Sequence, residues 1–336
     1  MTTPHLSTVP GLTPRPTEGI AGDPHEGRLP LASRADGLVG SVIDSSTSLL
    51  AAQTHDIVRF AMGAPAAEVI PTDEFRRLAG EVLDDSSFTY GATEGEPGLL
   101  ETIIELSSQT GRPTRPERIV VTSGGMQGLD IAFKLFVDPG DLVVVESPTY
   151  TNGSGTALSY GAEILEIPMD DDGMDIEALE AQVGELGRTP RLIYTIPNFQ
   201  NPSGTTLSLE RRKRLLELAH EWGSVILDDD PYGELRFEGE TAPQIAALPG
   251  MARQTLLLNS MSKIMSPGIR VGWIRGEGPI MNTLSIAKEA MGLHSSVVDQ
   301  LAVARYLEHY DVDAHVAEVA ALYRGRRDAM AATLPS

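Results

Sequence analysis

The chain has 336 residues, of which 41% are hydrophobic, and a formal net charge of −21 at pH 7. This length can bury the core of one large domain and a smaller one, and no apolar run approaches the roughly 20 residues that a bilayer requires, so we expect no membrane protein. The acidic excess disfavours nucleic acid and anionic lipid as partners, and the absence of cysteine excludes disulfides, thiolate catalysis and cysteine-bound metal.

The first 37 residues are rich in Pro, Gly and Thr and show no apolar periodicity, which predicts a flexible N-terminal arm. They lack a basic patch followed by an apolar segment, so we expect no secretory signal and a cytoplasmic protein. A helix-like stretch, LVGSVIDSSTSLLAA, and a strand-like stretch, DIVRFAMG, come next. We assign residues 38–74 to the N-terminal part of a small domain.

From residue 75 onward, short β-branched runs alternate with amphipathic segments of helical length. The runs predicted as strands are 118–125, 141–148, 162–169, 191–198, 224–230, 254–260 and 270–274. Several are apolar at consecutive positions, which is typical of strands covered on both faces. The pattern predicts an α/β fold, in which residues 75–310 form a three-layer α/β/α domain around a mostly parallel seven-stranded sheet.

Helix signals separate these strands. MQGLDIAFKLFVD follows the first strand, and SLERRKRLLELAHEWG begins at Ser208 and ends near Gly223. We expect Arg211 to Arg214 to lie on the solvated face of the second helix. The last stretch, from residue 314, predicts one helix, so residues 311–336 are interpreted as the start of a C-terminal small domain that the sequence does not complete.

Polar residues of distinct chemistry follow five of the predicted strands. Ligands of open α/β sheets bind outside the carboxyl ends of the strands, so these residues are candidates for one site. They are SGG at Ser123 to Gly125, SPTY ending at Tyr150, PNFQNPSG with Asn198 and Asn201, DDDPY at Asp228 to Tyr232, and SMSK at Ser260 to Lys263. Taken singly, each also fits an ordinary turn, helix cap, core-edge aromatic or surface lysine.

The three aspartates from Asp228 to Asp230 leave two interpretations open. They could bind a metal ion, or they could form a solvated strand end. Because no His or Glu lies close by in sequence, we favour the second interpretation and expect no metal.

The joint set supplies an anion cradle, an aromatic ring, an amide, a carboxylate and a lysine. It resembles the pyridoxal-phosphate enzymes of aminotransferase fold type I, class I/II, and specifically the branch that contains 2-aminoadipate and kynurenine aminotransferases. The matching motifs, in family order, are YGATEGEPGL, TSGGMQGLD, PNFQNPSG, DDDPYGEL and SMSKIMSPGIRVGW. The resemblance covers residues 38 to about 330 and implies transfer of an amino group between an α-amino acid and a 2-oxo acid.

The resemblance also implies roles around the ring of pyridoxal phosphate. Lys263 matches the lysine that binds the cofactor as a Schiff base and, once released, acts as general base. Asp229 matches the carboxylate that pairs with the pyridine nitrogen. Asn201 and Tyr232 match the pair that hydrogen-bonds the phenolic oxygen of the ring, and Tyr150 matches the aromatic residue stacked on it.

Five further residues match the phosphate contacts of the family. They are Gly125 and Met126 at the start of a helix, the hydroxyls of Ser260 and Ser262, and Arg270. A planar guanidinium suits a dianion, so we expect Arg270 to be a buried cation. Many relatives carry a Ser or Gln pair in place of Gly125 and Met126, so we expect fewer side-chain phosphate contacts and weaker cofactor binding.

Tyr90 matches a tyrosine that reaches the phosphate in the neighbouring subunit, which implies a homodimer. Gly63 in FAMGAP and Asn201 match residues that contact substrate. The family's arginine for the substrate α-carboxylate has no match before Ser336. Three explanations stay open: a truncated fold, a partner that supplies the missing part, or a substrate held differently.

Other functions remain possible. The same cofactor serves lyases, decarboxylases and oxidases, and a chain without the carboxylate-binding arginine could be a cofactor-binding but inactive remnant. A non-catalytic effector-binding module of a DNA-binding regulator needs a basic winged-helix domain upstream, for which the 37 N-terminal residues are too short.

Overall fold

The computed structural model describes residues 63–109, 114–248 and 252–334, with isolated positions before residue 42 (12–13, 32, 34–35, 38 and 40–41). Most of the predicted arm at 1–37 and of the helix- and strand-like stretches at 38–62 lies outside the described residues. Two short strands there, β1 (Leu12–Thr13) and β2 (Gly40–Ser41), pair antiparallel.

All seven predicted strands form one sheet together with an eighth strand. They are β3 (Ile119–Thr122), β4 (Leu142–Ser147), β5 (Glu163–Asp170), β6 (Gly173–Met174), β7 (Leu192–Thr195), β8 (Val225–Asp229), β9 (Thr255–Ser260) and β10 (Gly272–Arg275). The order is β3-β10-β9-β8-β7-β4-β5-β6.

The centre of this sheet is parallel. The neighbours β9, β8, β7, β4 and β5 run in the same direction, whereas β10 is antiparallel to both β3 and β9. The mostly parallel sheet is therefore confirmed, with eight strands instead of seven. The additional strand β6 has two residues and returns antiparallel from β5, so it offers no apolar run that a sequence pattern could reveal.

The α-helices of the described residues follow the predicted alternation. They are α1 (Thr72–Val82), α2 (Pro97–Gln109), α3 (Gly125–Phe136), α4 (Thr151–Ser159), α5 (Ile176–Leu186), α6 (Leu209–Trp222), α7 (Ile280–Gly292), α8 (Val297–His309) and α9 (Val312–Ala331). The predicted ends of α6 are confirmed, since Ser208 caps it through the Arg211 N–H and Gly223 ends it in the left-handed conformation.

The prediction for one residue of α6 is wrong. Arg212 is fully buried, and its guanidinium donates to the carbonyl oxygens of Leu207 (2.8 Å) and Pro197 (2.8 Å) and to Asn198 Oδ1 (2.7 Å). The reason is its position, because Arg212 precedes Leu215 by three residues and lies on the apolar stripe of the helix. A buried guanidinium persists there because protein oxygens satisfy its donors.

Both faces of the sheet are covered. Val143 and Val145 on β4 face one buried apolar cluster, and the alternating Leu142 and Val144 face another. A third cluster joins α1, α2, α8 and α9 beside the β3 and β10 strands. Within the described residues, no helix has both the length and the apolar composition to cross a bilayer.

Candidate active site

Lys263 lies three residues beyond β9, at the carboxyl edge of the parallel strands. Its Nζ donates a hydrogen bond to the carbonyl oxygen of Gly63 (2.8 Å) and lies 5.9 Å from the centroid of the Tyr232 ring. Burial lowers the pKa of this amine, and Arg270 acts in the same direction, whereas Asp229 opposes the shift. The amine therefore loses its proton more readily than a surface lysine does.

Asp229 is the last residue of β8, and only 8% of its surface is exposed. Its Oδ2 accepts a hydrogen bond from the Tyr194 hydroxyl (2.9 Å). Burial raises the pKa of Asp229 to about 7, and the hydrogen bond from Tyr194 works against that rise. No ion pair of the described residues involves Asp229, so this carboxylate suits a cationic ligand atom such as a protonated ring nitrogen.

Asn201, Tyr232 and Tyr150 lie in the loops that leave β7, β8 and β4. Burial raises the pKa of Tyr232 to about 12, and the Asn201 amide opposes this rise. The Tyr150 hydroxyl accepts from Asn152 Nδ2 (3.1 Å) and lies 3.6 Å from Met126 Sδ. Tyr232 thus stays protonated near neutral pH and can donate to a ligand oxygen.

The predicted phosphate contacts also lie together. Ser260 Oγ donates to Ser262 Oγ (2.8 Å), and Arg270 Nη1 reaches the same Ser262 hydroxyl at 3.4 Å. Arg270 Nη2 donates to the carbonyl oxygen of Ser123 (3.0 Å), just before α3. The guanidinium therefore spans the space between the two hydroxyls and the start of this helix.

The N-terminus of α3 is shaped by Gly124. This residue has φ +78°, and a Cβ there would lie 2.2 Å from Arg270 Nη2. No side chain caps α3, so the N–H groups of Gly125 and Met126 are available to an anion. A guanidinium, two hydroxyls and a helix N-terminus fit a phosphate dianion. Arg270 is exposed, so the expectation of a buried cation is wrong.

Two predicted residues stand apart from this group. Tyr90 is 83% exposed, and its ring meets the edge of His294 at a centroid distance of 5.7 Å. Gly63 is exposed and is brought to the crevice through its carbonyl contact with Lys263.

The aspartates on either side of Asp229 have different surroundings. Asp230 accepts from Asn198 Nδ2 (2.9 Å) and the Gly233 N–H (3.0 Å), so Asn198 supports the loop from within. Asp228 is fully buried, and burial raises its pKa to about 8. Among the described residues, no group of three or more His, Asp or Glu residues could hold a metal ion.

Sequence reasoning missed three polar residues of the site: Tyr194, Glu146 and Gln200. Tyr194 and Glu146 lie inside apolar strand runs, and Gln200 lies inside a turn motif. The pairing register of β7 with β8 places Tyr194 near Asp229. Tyr194 pairs with Leu227, and Leu227 shares a sheet face with Asp229.

The model of the class I and II aminotransferase family matches residues 56–336. The chain belongs to the class I and II aminotransferases. It is 37% identical over 306 residues to the aromatic-amino-acid aminotransferase 1 of Thermococcus litoralis, covering 89% of this chain and 73% of that protein.

Solved structures of aminotransferases share the fold. The kynurenine aminotransferase of Pyrococcus horikoshii, in complex with PMP, is 35% identical with a TM-score of 0.82 over 89% of this chain and 75% of that one. The α-aminoadipate aminotransferase LysN of Thermus thermophilus, complexed with N-(5'-phosphopyridoxyl)-L-leucine, is 31% identical with a TM-score of 0.80, with coverage of 89% and 75%. This aminotransferase therefore uses pyridoxal phosphate and transfers an amino group between amino and oxo acids.

Proposed function

We propose that this aminotransferase moves the amino group of an α-amino acid to a 2-oxo acid, with Lys263 as the residue that binds the cofactor covalently. The observation that carries the proposal is the surroundings of its Nζ. A half-buried amine with a lowered pKa lies beside the Tyr232 ring and within electrostatic range of Asp229. An amine that loses its proton more readily is a better nucleophile and base near neutral pH.

When bound, pyridoxal phosphate supplies a carbonyl carbon that reacts with amines and a ring that accepts the electron pair left behind by a departing proton. Lys263 Nζ takes the proton from the substrate Cα and holds it for delivery on the same side of the crevice. Asp229 keeps the ring nitrogen protonated through its carboxylate, and Tyr194 holds this carboxylate in place.

The remaining residues orient the cofactor. Asn201 and Tyr232 would hold the oxygen on the ring, and Tyr150 would pack against the ring. The phosphate binds to the cradle formed by Ser260, Ser262, Arg270 and the N–H groups of Gly125 and Met126. Substrate lies against Gly63 and Asn201.

We propose that the protein is a homodimer in which Tyr90 completes the phosphate site of the neighbouring copy. Support comes from its 83% exposure beside two other exposed apolar residues, Phe88 (73%) and Leu293 (49%). The cytoplasmic location, the N-terminal arm and the domain boundaries after residues 74 and 310 stay predictions.

Relatives named for aromatic amino acids, 2-aminoadipate and kynurenine define the amino donors to try first. The experiment is to purify the chain with pyridoxal phosphate, record its visible absorbance and add these donors with a 2-oxo acid. We expect the visible absorbance band of the bound cofactor to change when a donor is added. The 2-oxo acid derived from that donor should form at the same time.

Lys263→Ala should abolish both the band and the reaction, whereas Lys134→Ala, at an exposed lysine of α3, should change neither. A normal band in Lys263→Ala would refute the assignment of this lysine. Formation of a product other than the matching 2-oxo acid would indicate a different reaction at Cα or Cβ, and a band that no donor perturbs would indicate an inactive remnant.

A further inference from the structure

Glu146 is a buried carboxylate near the end of β4 that has no part in the chemistry described above. Only 2% of its surface is exposed. Its Oε1 accepts from the Thr195 hydroxyl (2.6 Å), its Oε2 accepts from Gln200 Nε2 (3.0 Å), and the Ile196 N–H lies 3.3 Å from both oxygens. These partners are all neutral, so the carboxylate is held by hydrogen bonds alone, and burial raises its pKa to about 7.

Gln200 uses both ends of its side-chain amide. Nε2 donates to Glu146 and also to the carbonyl oxygen of Pro148 (2.8 Å), while Oε1 accepts from the Ser203 N–H (2.9 Å). Its backbone N–H donates to the carbonyl oxygen of Thr205 (2.9 Å). A residue that is 98% buried and hydrogen-bonded in this way has one conformation open to it.

These contacts connect two loops that carry proposed ring contacts. Pro148 lies two residues before Tyr150, and Gln200 directly precedes Asn201. The side chain of Gln200 therefore fixes the distance between the loop that follows β4 and the loop that follows β7. Glu146 anchors this side chain to the sheet, because its own position is set by β4 and by Thr195 on β7.

We propose that Glu146 and Gln200 are positioning residues that hold Tyr150 and Asn201 in register around the cofactor ring. The proposal rests on the ring contacts assigned under the proposed function. An apolar side chain at position 146 could fill the same volume. Only a group with two acceptor oxygens, however, can accept from the donors of Thr195, Ile196 and Gln200 together. A glutamine at position 146 would place its own NH₂ donor opposite the Gln200 NH₂ or the Ile196 N–H, so that two donors would face each other.

The test compares the holoenzymes of the wild type, Glu146→Gln, Gln200→Glu and the double variant that combines them. Glu163→Gln, at a surface residue paired with Arg188, is the matched control. Three quantities are measured: kcat, KM, and the pH midpoint of the visible absorbance of the bound cofactor. The pH midpoint of the absorbance reports the surroundings of the cofactor ring. A loss of protein stability alone does not change it.

We expect Glu146→Gln to lower kcat roughly tenfold to a hundredfold and to shift the pH midpoint, with KM changed by at most about twofold. The double variant should recover part of kcat, because it restores a donor and an acceptor between positions 146 and 200 with their roles exchanged. If Glu146→Gln does not fold, Gln200→Met takes its place, since it leaves Glu146 bound to Thr195 and Ile196 and removes the link between the loops together with the contact to the Ser203 N–H.

A lower melting temperature with unchanged kcat and an unchanged midpoint would overturn the proposal, since it would assign these residues to stability alone. The same measurements on Lys263→Ala separate this outcome from failure of the proposed function. If wild type transfers amino groups and depends on Lys263 while the variants at 146 and 200 match wild type, only the positioning role is wrong.

Discussion

The protonation state of Asp229 is set by two opposing effects. Burial raises its pKa to about 7, and the hydroxyl of Tyr194, donating at 2.9 Å, lowers it. An ionised Asp229 is the form that keeps a ring nitrogen protonated. Activity should therefore decline as the pH falls toward the pKa of this carboxyl, and Tyr194 should widen the active range on the acid side.

Replacing Tyr194 by Phe removes this donor and keeps the ring in the core. Because the lost hydrogen bond favoured the ionised form, the pKa of Asp229 rises, and the acid limb of kcat/KM moves to higher pH by about half a unit to one unit. We expect the cofactor to stay bound and kcat at neutral pH to fall roughly threefold to tenfold. The measurement is the pH profile of kcat/KM between about pH 5 and 9.

Tyr160→Phe is the control for this substitution. Tyr160 donates to Asp130 Oδ1 (3.0 Å) at the end of α4 that lies away from Tyr150. Its loss should leave the acid limb in place. An acid limb unchanged in Tyr194→Phe would assign that limb to another group, such as Lys263.

At this scale the sequence predicts the motif residues, which the structure brings to one edge of the sheet, but it does not predict the residues that support them. Asp229 is the last residue of β8, and Asn201 and Lys263 follow β7 and β9, at the edge where ligands bind in this class of fold. Tyr194 lies within LIYT, which resembles a run of core residues, and its link to Asp229 exists only once β7 and β8 are known to be neighbours.

Among the structural elements, the start of α3 is a sterically constrained part of the candidate site. Gly124 adopts φ +78°, and Arg270 packs against it so closely that any Cβ would collide with the guanidinium. Gly125, one residue later, is the first helical residue, and nothing lies within 4 Å of a Cβ built on it. Of these two adjacent glycines, Gly125 has room for a Cβ and Gly124 does not.

Gly124→Ala should displace Arg270 and strain the backbone. We expect the free energy of unfolding to fall by about 1–3 kcal/mol and the Kd for pyridoxal phosphate to rise at least roughly tenfold. Gly125→Ala keeps the backbone N–H and gains helix propensity, so its stability should be equal or higher by about 0.5–1 kcal/mol. Absorbance titration with the cofactor and thermal unfolding measure both quantities. Equal losses of affinity in the two variants would contradict this account.

The elements themselves were largely predictable, and the exceptions have physical causes. Strands such as β4 and β9 are continuous apolar runs because both faces of the sheet are covered. The strand β6 was not predicted because it has only two residues. Arg212 was assigned to the solvated face because it lies in a run of four basic residues, although its position in α6 is on the apolar stripe. The antiparallel insertion of β10 between β3 and β9 depends on long-range pairing, which local patterns do not encode.

For the whole molecule, the net charge of −21 opposes the approach of anionic ligands. Pyridoxal phosphate, amino acids and 2-oxo acids all carry negatively charged groups. The candidate site counters the overall field locally, with Arg270, Lys263 and the N-terminus of α3 converging at the edge of the sheet. Binding of the phosphate should therefore depend on a few cations, as the cradle geometry indicates.

If the proposed homodimer forms, assembly completes this phosphate cradle. Tyr90 is 83% exposed, and the proposed homodimer, in which it serves the neighbouring copy, predicts complementation between two defective chains. Lys263→Ala lacks the amine, and Tyr90→Ala lacks the residue that it donates to its neighbour. In a mixed dimer, the site that keeps Lys263 receives Tyr90 from the other chain and is intact.

Random exchange makes half of the dimers mixed, and each mixed dimer has one intact site of two. Mixing equal amounts of the two variants under conditions that allow exchange should therefore restore activity to about one quarter of the wild-type value. The measurement is amino transfer before and after exchange, with sedimentation velocity to confirm the dimer. If Tyr90 served its own chain, no combination would pair an intact Lys263 with an intact Tyr90 site, and the mixture would stay at the average of the two variants.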